Sequence, residues 1–99
     1  MTPDRNHVLR LITANRDRIR GFGVKRLGLF GSCARAENSI ASDVDLVVEF
    51  HTKTFDAYMD LRAFLEELLG CPVDLVLADA IKPRLREPIL QEAVYAPGL

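Results

Sequence analysis

Two aspartates separated by a single residue open the second of two apolar segments in the first half of the chain. Asp43 and Asp45 begin that segment, and ten residues separate them from Gly31-Ser32, where the first apolar segment ends. Residues i and i+2 of a strand point to the same face, so the two carboxylates are predicted to project together. Like charges held this close are costly unless a cation neutralises them, and such oxygen ligands suit Mg²⁺ or Mn²⁺.

The glycine–serine pair indicates a phosphate-binding turn. Gly31 lets the backbone approach a ligand closely, and amide N–H groups at a turn from strand to helix can cradle a phosphate; Ser32 adds a hydroxyl. A phosphate cradle that faces a metal-binding pair of carboxylates favours phosphoryl or nucleotidyl transfer.

The elements that must position these residues follow from periodicity and punctuation. Two strands, Val24 to Phe30 and Asp43 to Phe50, are joined by only twelve residues, which favours an antiparallel pair. A helix between Thr54 and Gly70, in which Tyr58 is predicted to pack, then leads to a third strand over 73–77. A strand–helix–strand unit is a crossover, so the second and third strands are predicted to be parallel.

A further helix is predicted near each end of the chain. The first follows Thr2 and ends near Gly21, and the last starts near Pro88 with an apolar face that reaches Val94. The predicted fold class is therefore α/β (α+β), with a small mixed three-stranded sheet flanked by helices.

A third aspartate is predicted to join the first two. Asp74 lies at the start of the third strand, as Asp43 and Asp45 lie at the start of the second, and the starts of neighbouring parallel strands meet at one sheet edge. The alternative is that these acids only terminate strands in solvent, but this does not explain three aspartates at the same edge.

The Gly-Ser, ten-residue, Asp-x-Asp pattern resembles the signature of the DNA polymerase beta-type nucleotidyltransferase superfamily. The short length resembles its minimal (MNT) branch, the MntA-like antitoxins paired with HEPN-domain toxins, and the resemblance runs from Leu27 to about Ala96. It implies the nucleotidyltransferase fold, a catalytic and metal-binding role for Asp74, and a triphosphate contact for Arg35. The alternative for Arg35 is an arginine that faces a partner or solvent. Ala36 departs from the glycine that the family commonly has at that place.

The resemblance also implies a reaction and a partner. ATP would donate AMP, with Mg²⁺ (or Mn²⁺), to a tyrosine hydroxyl of a HEPN ribonuclease toxin, so the chain would be an enzymatic antitoxin. Three alternatives stay open: a non-catalytic module that neutralises its partner by binding, a small-molecule nucleotidyltransferase, and a nucleotide sensor without transfer. Small-molecule enzymes of this kind generally carry an added acceptor domain.

Length and charge narrow the class of protein. With 99 residues and a formal net charge of −1, the chain is predicted to be one domain over 1–99, with no general attraction to nucleic acid. It has no membrane-spanning apolar run and no signal-peptide pattern, so a cytoplasmic protein is expected. A domain this small leaves little material to enclose a second substrate, which favours an acceptor that is another macromolecule or that is contained by a partner chain.

Overall fold

The computed structural model of the protein describes residues 5–30 and 44–96, which form a mixed sheet with helices on both faces. In chain order the described elements are α1 (Arg5–Ala14), α2 (Arg16–Arg20), β1 (Val24–Phe30), β2 (Val44–Phe50), α3 (Phe55–Leu69), β3 (Val73–Leu77), a 3₁₀ turn (Ala78–Ala80), α4 (Pro83–Glu92) and β4 (Val94–Tyr95). The strand order is β3-β2-β1-β4, so β2 and β1 are central. No helix among these residues is long and apolar enough to cross a bilayer.

The pairing of the three long strands confirms the prediction. β1 and β2 are antiparallel, with Phe30 opposite Asp45. β2 and β3 are parallel, with Asp45 opposite Asp74, and α3 makes the crossover between them. The direction of each strand therefore brings the C-terminal end of β1 and the N-terminal ends of β2 and β3 to the same end of the sheet.

Both ends of α3 have the caps that the sequence predicts. The Thr54 hydroxyl accepts a hydrogen bond from the Ala57 N–H at 3.1 Å. Gly70 adopts a left-handed conformation with φ of 70°, and its N–H donates to the Glu66 carbonyl at 2.9 Å. A residue with a Cβ adopts this conformation only with strain, so glycine lets the chain turn directly into β3.

Replacing Gly70 is expected to weaken this turn. Gly70→Ala should lower the free energy of unfolding by about 1 kcal/mol, because a Cβ disfavours positive φ, although the space around Gly70 is open. Gly70→Asn should cost less, since asparagine tolerates this conformation better than alanine. Urea denaturation of both variants measures the difference, and equal midpoints for Gly70→Ala and wild type would contradict the conformational explanation.

The main core lies between the sheet and α1–α3. Alternate residues of the strands face it, and its fully or nearly fully buried side chains come from every element on that side: Val8, Ile12, Ile19, Val24, Leu27, Leu29, Val44, Leu46, Val48, Leu61, Leu65, Leu69, Val73 and Leu75. The opposite face of the sheet, called here the α4 face, carries a smaller cluster. There Val47 packs with Ala78 and Ile81 and with the partly buried Phe30, Val76, Ile89, Leu90 and Ala93.

The C-terminal part of the chain differs from the prediction in two ways. The last helix begins at Pro83, not near Pro88, because Pro83 occupies the first turn, where no backbone donor is needed. The described residues form four strands where three were predicted, since Val94 lies beyond the end of α4 and pairs with Leu29 in β4. The fold class itself, a mixed sheet flanked by helices, is confirmed.

Candidate active site

Two carboxylates stand side by side where β2 and β3 begin. Asp45 and Asp74 are opposite each other in the parallel pair, so their Cα atoms are about 4.8 Å apart and their side chains share a face. The residues before and after each aspartate are buried toward α3. Since side chains alternate along a strand, both carboxylates project on the α4 face.

The surroundings of the two carboxylates differ. Asp45 is half-buried on the central strand and lies opposite Phe30, the last described residue of β1. Asp74 is exposed on the edge strand. Among the described residues, Asp74 is thus the more accessible of the two carboxylates.

Four of the predicted site residues, Gly31, Ser32, Arg35 and Asp43, lie outside the described residues. Asp45 and Asp74 are the two that the structure describes, and it brings them together. Within residues 5–30 and 44–96, no three His, Cys, Asp or Glu side chains group closely enough to hold a metal ion. The predicted ligand set therefore stands as a pair of described carboxylates together with the predicted Asp43.

The chemistry of this pair fits a divalent cation with oxygen ligands. Two like charges in register on neighbouring strands repel each other, and a cation between them offsets that cost. Mg²⁺ is usually held by one or two carboxylates and completes its shell with water and substrate phosphates. Asp45 and Asp74 can supply the protein's share of such a shell.

A second group of charges lies at the other end of the same strands. The Lys53 ammonium donates to the Asp79 carboxylate at 3.0 Å, beyond the C-terminal ends of β2 and β3. This hydrogen bond holds the pKa of Asp79 below its ordinary value; slight burial opposes it, and the charges of Lys53 and Arg86 add to it. The pair belongs to the opposite end of the sheet from Asp45 and Asp74, so Lys53 is not a site residue.

Two α3 side chains contact the backbone of β3 beside the site. The Tyr58 hydroxyl donates to the Leu75 carbonyl at 2.6 Å, and a Glu66 carboxylate oxygen accepts from the Val73 N–H at 3.1 Å. The sequence predicted Tyr58 only as a packing residue and did not single out Glu66. A tyrosine in an apolar stripe carries a polar end that usually finds a partner when half-buried, which was the available signal.

Comparison with known proteins places the chain among nucleotidyltransferases. Residues 9–96 match the family model described as nucleotidyltransferase domain. The protein adenylyltransferase MntA of Thermococcus cleftensis is 38% identical over 87 residues, which are 86% of this chain and 88% of that protein. A solved structure of a candidate minimal nucleotidyltransferase is 38% identical, with a TM-score of 0.72 over 87% of this chain and 93% of that chain.

A further solved structure shares the fold at lower identity. It holds a tri-AMPylated HEPN toxin of Shewanella oneidensis in complex with an MNT antitoxin. The two chains are 21% identical and superpose with a TM-score of 0.64, and the match covers 92% of this chain and 73% of that chain.

Proposed function

Since the chain belongs to the nucleotidyltransferase domain family, we propose that it transfers AMP from ATP to a hydroxyl group of a partner protein. The observation that carries the proposal is the register of Asp45 with Asp74 at the starts of two parallel strands. Two neighbouring carboxylates on one face can hold a cation against the phosphates of a nucleotide and leave one side open to a protein acceptor.

The donor half of the reaction rests on the predicted residues. Gly31 and Ser32 hold the phosphates of ATP, and the Arg35 guanidinium contacts the triphosphate through paired hydrogen bonds. Asp43, Asp45 and Asp74 would hold Mg²⁺, or Mn²⁺ in its place, and the bound cation would offset the negative charge that develops on pyrophosphate. Most of the rate gain comes from positioning and charge neutralisation, without a covalent enzyme intermediate.

Asp74 has the second role in this scheme. The acceptor oxygen attacks the α-phosphorus of ATP, the bond from that phosphorus to the bridging oxygen breaks, and pyrophosphate leaves. An Asp74 carboxylate oxygen takes the proton of the attacking hydroxyl. Its exposure on the edge strand suits this role, because the acceptor must approach from outside the domain.

The proposed acceptor is a tyrosine of a HEPN-type toxin, so that the chain acts as the antitoxin of a toxin–antitoxin pair in the cytoplasm. The name of the Thermococcus relative, a protein adenylyltransferase, supports a protein acceptor. The AMPylated HEPN toxin in the Shewanella complex supports a HEPN-type toxin as that protein acceptor. A tyrosine hydroxyl on a folded partner can approach Asp74, which is exposed on the edge strand.

Transfer of label from ATP tests the proposed reaction. The chain, MgCl₂ and a HEPN-type protein from the same genome are incubated with ATP labelled at the α-phosphate, and in parallel with ATP labelled at the γ-phosphate. We expect label on the partner only from the α-labelled ATP, stable to acid as a phosphotyrosine-type ester is. A partner that binds the chain tightly but takes up no label would instead favour the non-catalytic antitoxin.

A further inference from the structure

The outer edge of β3 is held by α3 on both sides of Asp74. Val44 donates its N–H to the Pro72 carbonyl at 3.1 Å, which fixes which backbone groups of β3 face β2. Because these groups alternate along a parallel strand, Val73 and Leu75 direct their N–H and C=O groups away from the sheet. Among the described residues, no strand lies beside this edge of β3.

Two side chains two turns apart on α3 occupy this edge. Glu66 accepts the Val73 N–H at 3.1 Å, and Tyr58 donates to the Leu75 carbonyl at 2.6 Å. Both hydrogen bonds are partly buried, and they engage the residue immediately before Asp74 and the residue immediately after it. Of the residues on the described part of β3, Asp74 is thus the one whose two neighbours are both tied to α3.

We propose that Tyr58 and Glu66, called here the α3 brace, are positioning residues that set the place of the Asp74 carboxylate beside Asp45. The inference rests on the proposed function, since it assigns these residues to the metal-binding and proton-accepting role of Asp74.

Three observations support a positioning role beyond general stability. Asp74 is exposed, so packing around its own side chain does not fix it, and its place depends on its backbone. Val73 and Leu75 are only 2% and 4% exposed, so their burial holds β3 against the core. Apolar contacts are not directional, so this burial does not fix the position of β3 lengthwise along α3. Hydrogen bonds are directional, so the two on either side of Asp74 add to the pairing of β3 with β2 in fixing where the backbone of Asp74 lies.

The size of the expected effect follows from groups that orient metal ligands elsewhere. Removal of a partner that orients a ligand costs about 10–100-fold in metal affinity or activity. A displacement of about 1 Å at a reacting group costs up to about 100-fold in rate. Each residue of the α3 brace is therefore expected to contribute a factor of about ten to metal affinity and to the rate of transfer. The two residues together should contribute more than either alone.

The test compares matched variants of the full chain. Tyr58→Phe removes only the hydroxyl, and Glu66→Ala removes the acceptor, whereas Glu66→Gln keeps a carbonyl oxygen that can accept the same bond. Glu67→Gln, on the neighbouring exposed position of α3, and Tyr95→Phe, on β4, are the controls. Mn²⁺ binding is measured by electron paramagnetic resonance with a non-hydrolysable ATP analogue, and AMP transfer to the partner is measured separately.

We expect Tyr58→Phe and Glu66→Ala each to raise the Kd for Mn²⁺ about tenfold and to lower kcat by a similar factor, with KM for the acceptor unchanged. Glu66→Gln should recover most of the loss, and both controls should match wild type. If Tyr58→Phe and Glu66→Ala lower only the melting temperature and bind Mn²⁺ like wild type, the α3 brace is merely structural and the proposal is wrong. A wild-type chain that binds no Mn²⁺ would overturn it as well.

The two readouts separate this inference from the proposed function. A wild-type chain that binds Mn²⁺ but transfers no AMP to any protein contradicts the proposed function. In that case the Mn²⁺ affinities of the same variants still decide whether the α3 brace positions Asp74.

Discussion

Asp45→Asn is expected to lower the rate of AMP transfer by about three orders of magnitude while the fold stays intact. The substitution keeps the size and shape of the side chain but removes its charge at the half-buried position opposite Asp74. A metal held by that charge contributes several kcal/mol to the transition state, and about 4 kcal/mol corresponds to a factor of about 10³. Initial rates with saturating ATP and partner measure the loss, and circular dichroism checks the fold.

Glu49→Gln is the matched control for Asp45→Asn. Glu49 lies on the same strand, four residues further on and on the same face, where it pairs with Arg26 at 3.7 Å. It is far from Asp74, so its neutralisation should change the rate by less than a factor of about two, as expected of a surface ion pair. Equal losses in the two variants would mean that the rate depends on the negative charge of this face in general, which contradicts a specific site at Asp45.

Leu46→Ala is expected to lower the free energy of unfolding by about 3 kcal/mol. Leu46 is fully buried on the central strand β2, directly after Asp45, and its side chain belongs to the main core between the sheet and α3. Truncation of a buried leucine leaves a cavity and typically costs 2–5 kcal/mol, against a total stability of about 5–15 kcal/mol for a domain. Urea denaturation followed by circular dichroism gives the change.

Leu85→Ala is the control that separates the effect of burial from the effect of truncating a leucine as such. Leu85 lies in the first turns of α4 and is 46% exposed, so the same truncation there should change the stability by no more than about 0.5 kcal/mol. Comparable losses for Leu46→Ala and Leu85→Ala would contradict the core as described. A Leu46→Ala chain that still folds at low temperature should also transfer AMP more slowly, because Asp45 is the residue directly before Leu46 on the strand.

The strands and the helix that position the site were predictable from sequence because their signals are local. β1, β2 and β3 are apolar segments with clear ends, and α3 has both of its caps in its own sequence, Thr54 and Gly70. The proximity of Asp45 and Asp74 was also predictable, because a strand–helix–strand unit brings the starts of its two strands together.

Most of the features that the sequence did not predict depend on contacts between segments that are distant along the chain. β4 has two residues, too few to show any alternation, and it is defined by its pairing with β1. Tyr95 lies over Gly28 there, and a Cβ added at Gly28 would meet the tyrosine ring at 3.0 Å. The hydrogen bonds of Tyr58 and Glu66 to β3 join positions 17 and 7 residues apart, which no periodic pattern encodes. The start of α4 at Pro83 was missed because the chain offers a second proline, Pro88, with an equally good signal.

The most direct test of AMP transfer to a partner protein is the intact mass of that partner after co-expression. The chain, as wild type or as Asp45→Asn, is co-expressed with a HEPN-type protein from the same genome, and the partner that co-purifies is weighed. We predict a partner heavier by one or more AMP units with wild type and of unmodified mass with Asp45→Asn, with the added mass located on tyrosine. A partner of unmodified mass that co-purifies equally with both forms would contradict the transfer reaction and would leave an antitoxin that acts by binding.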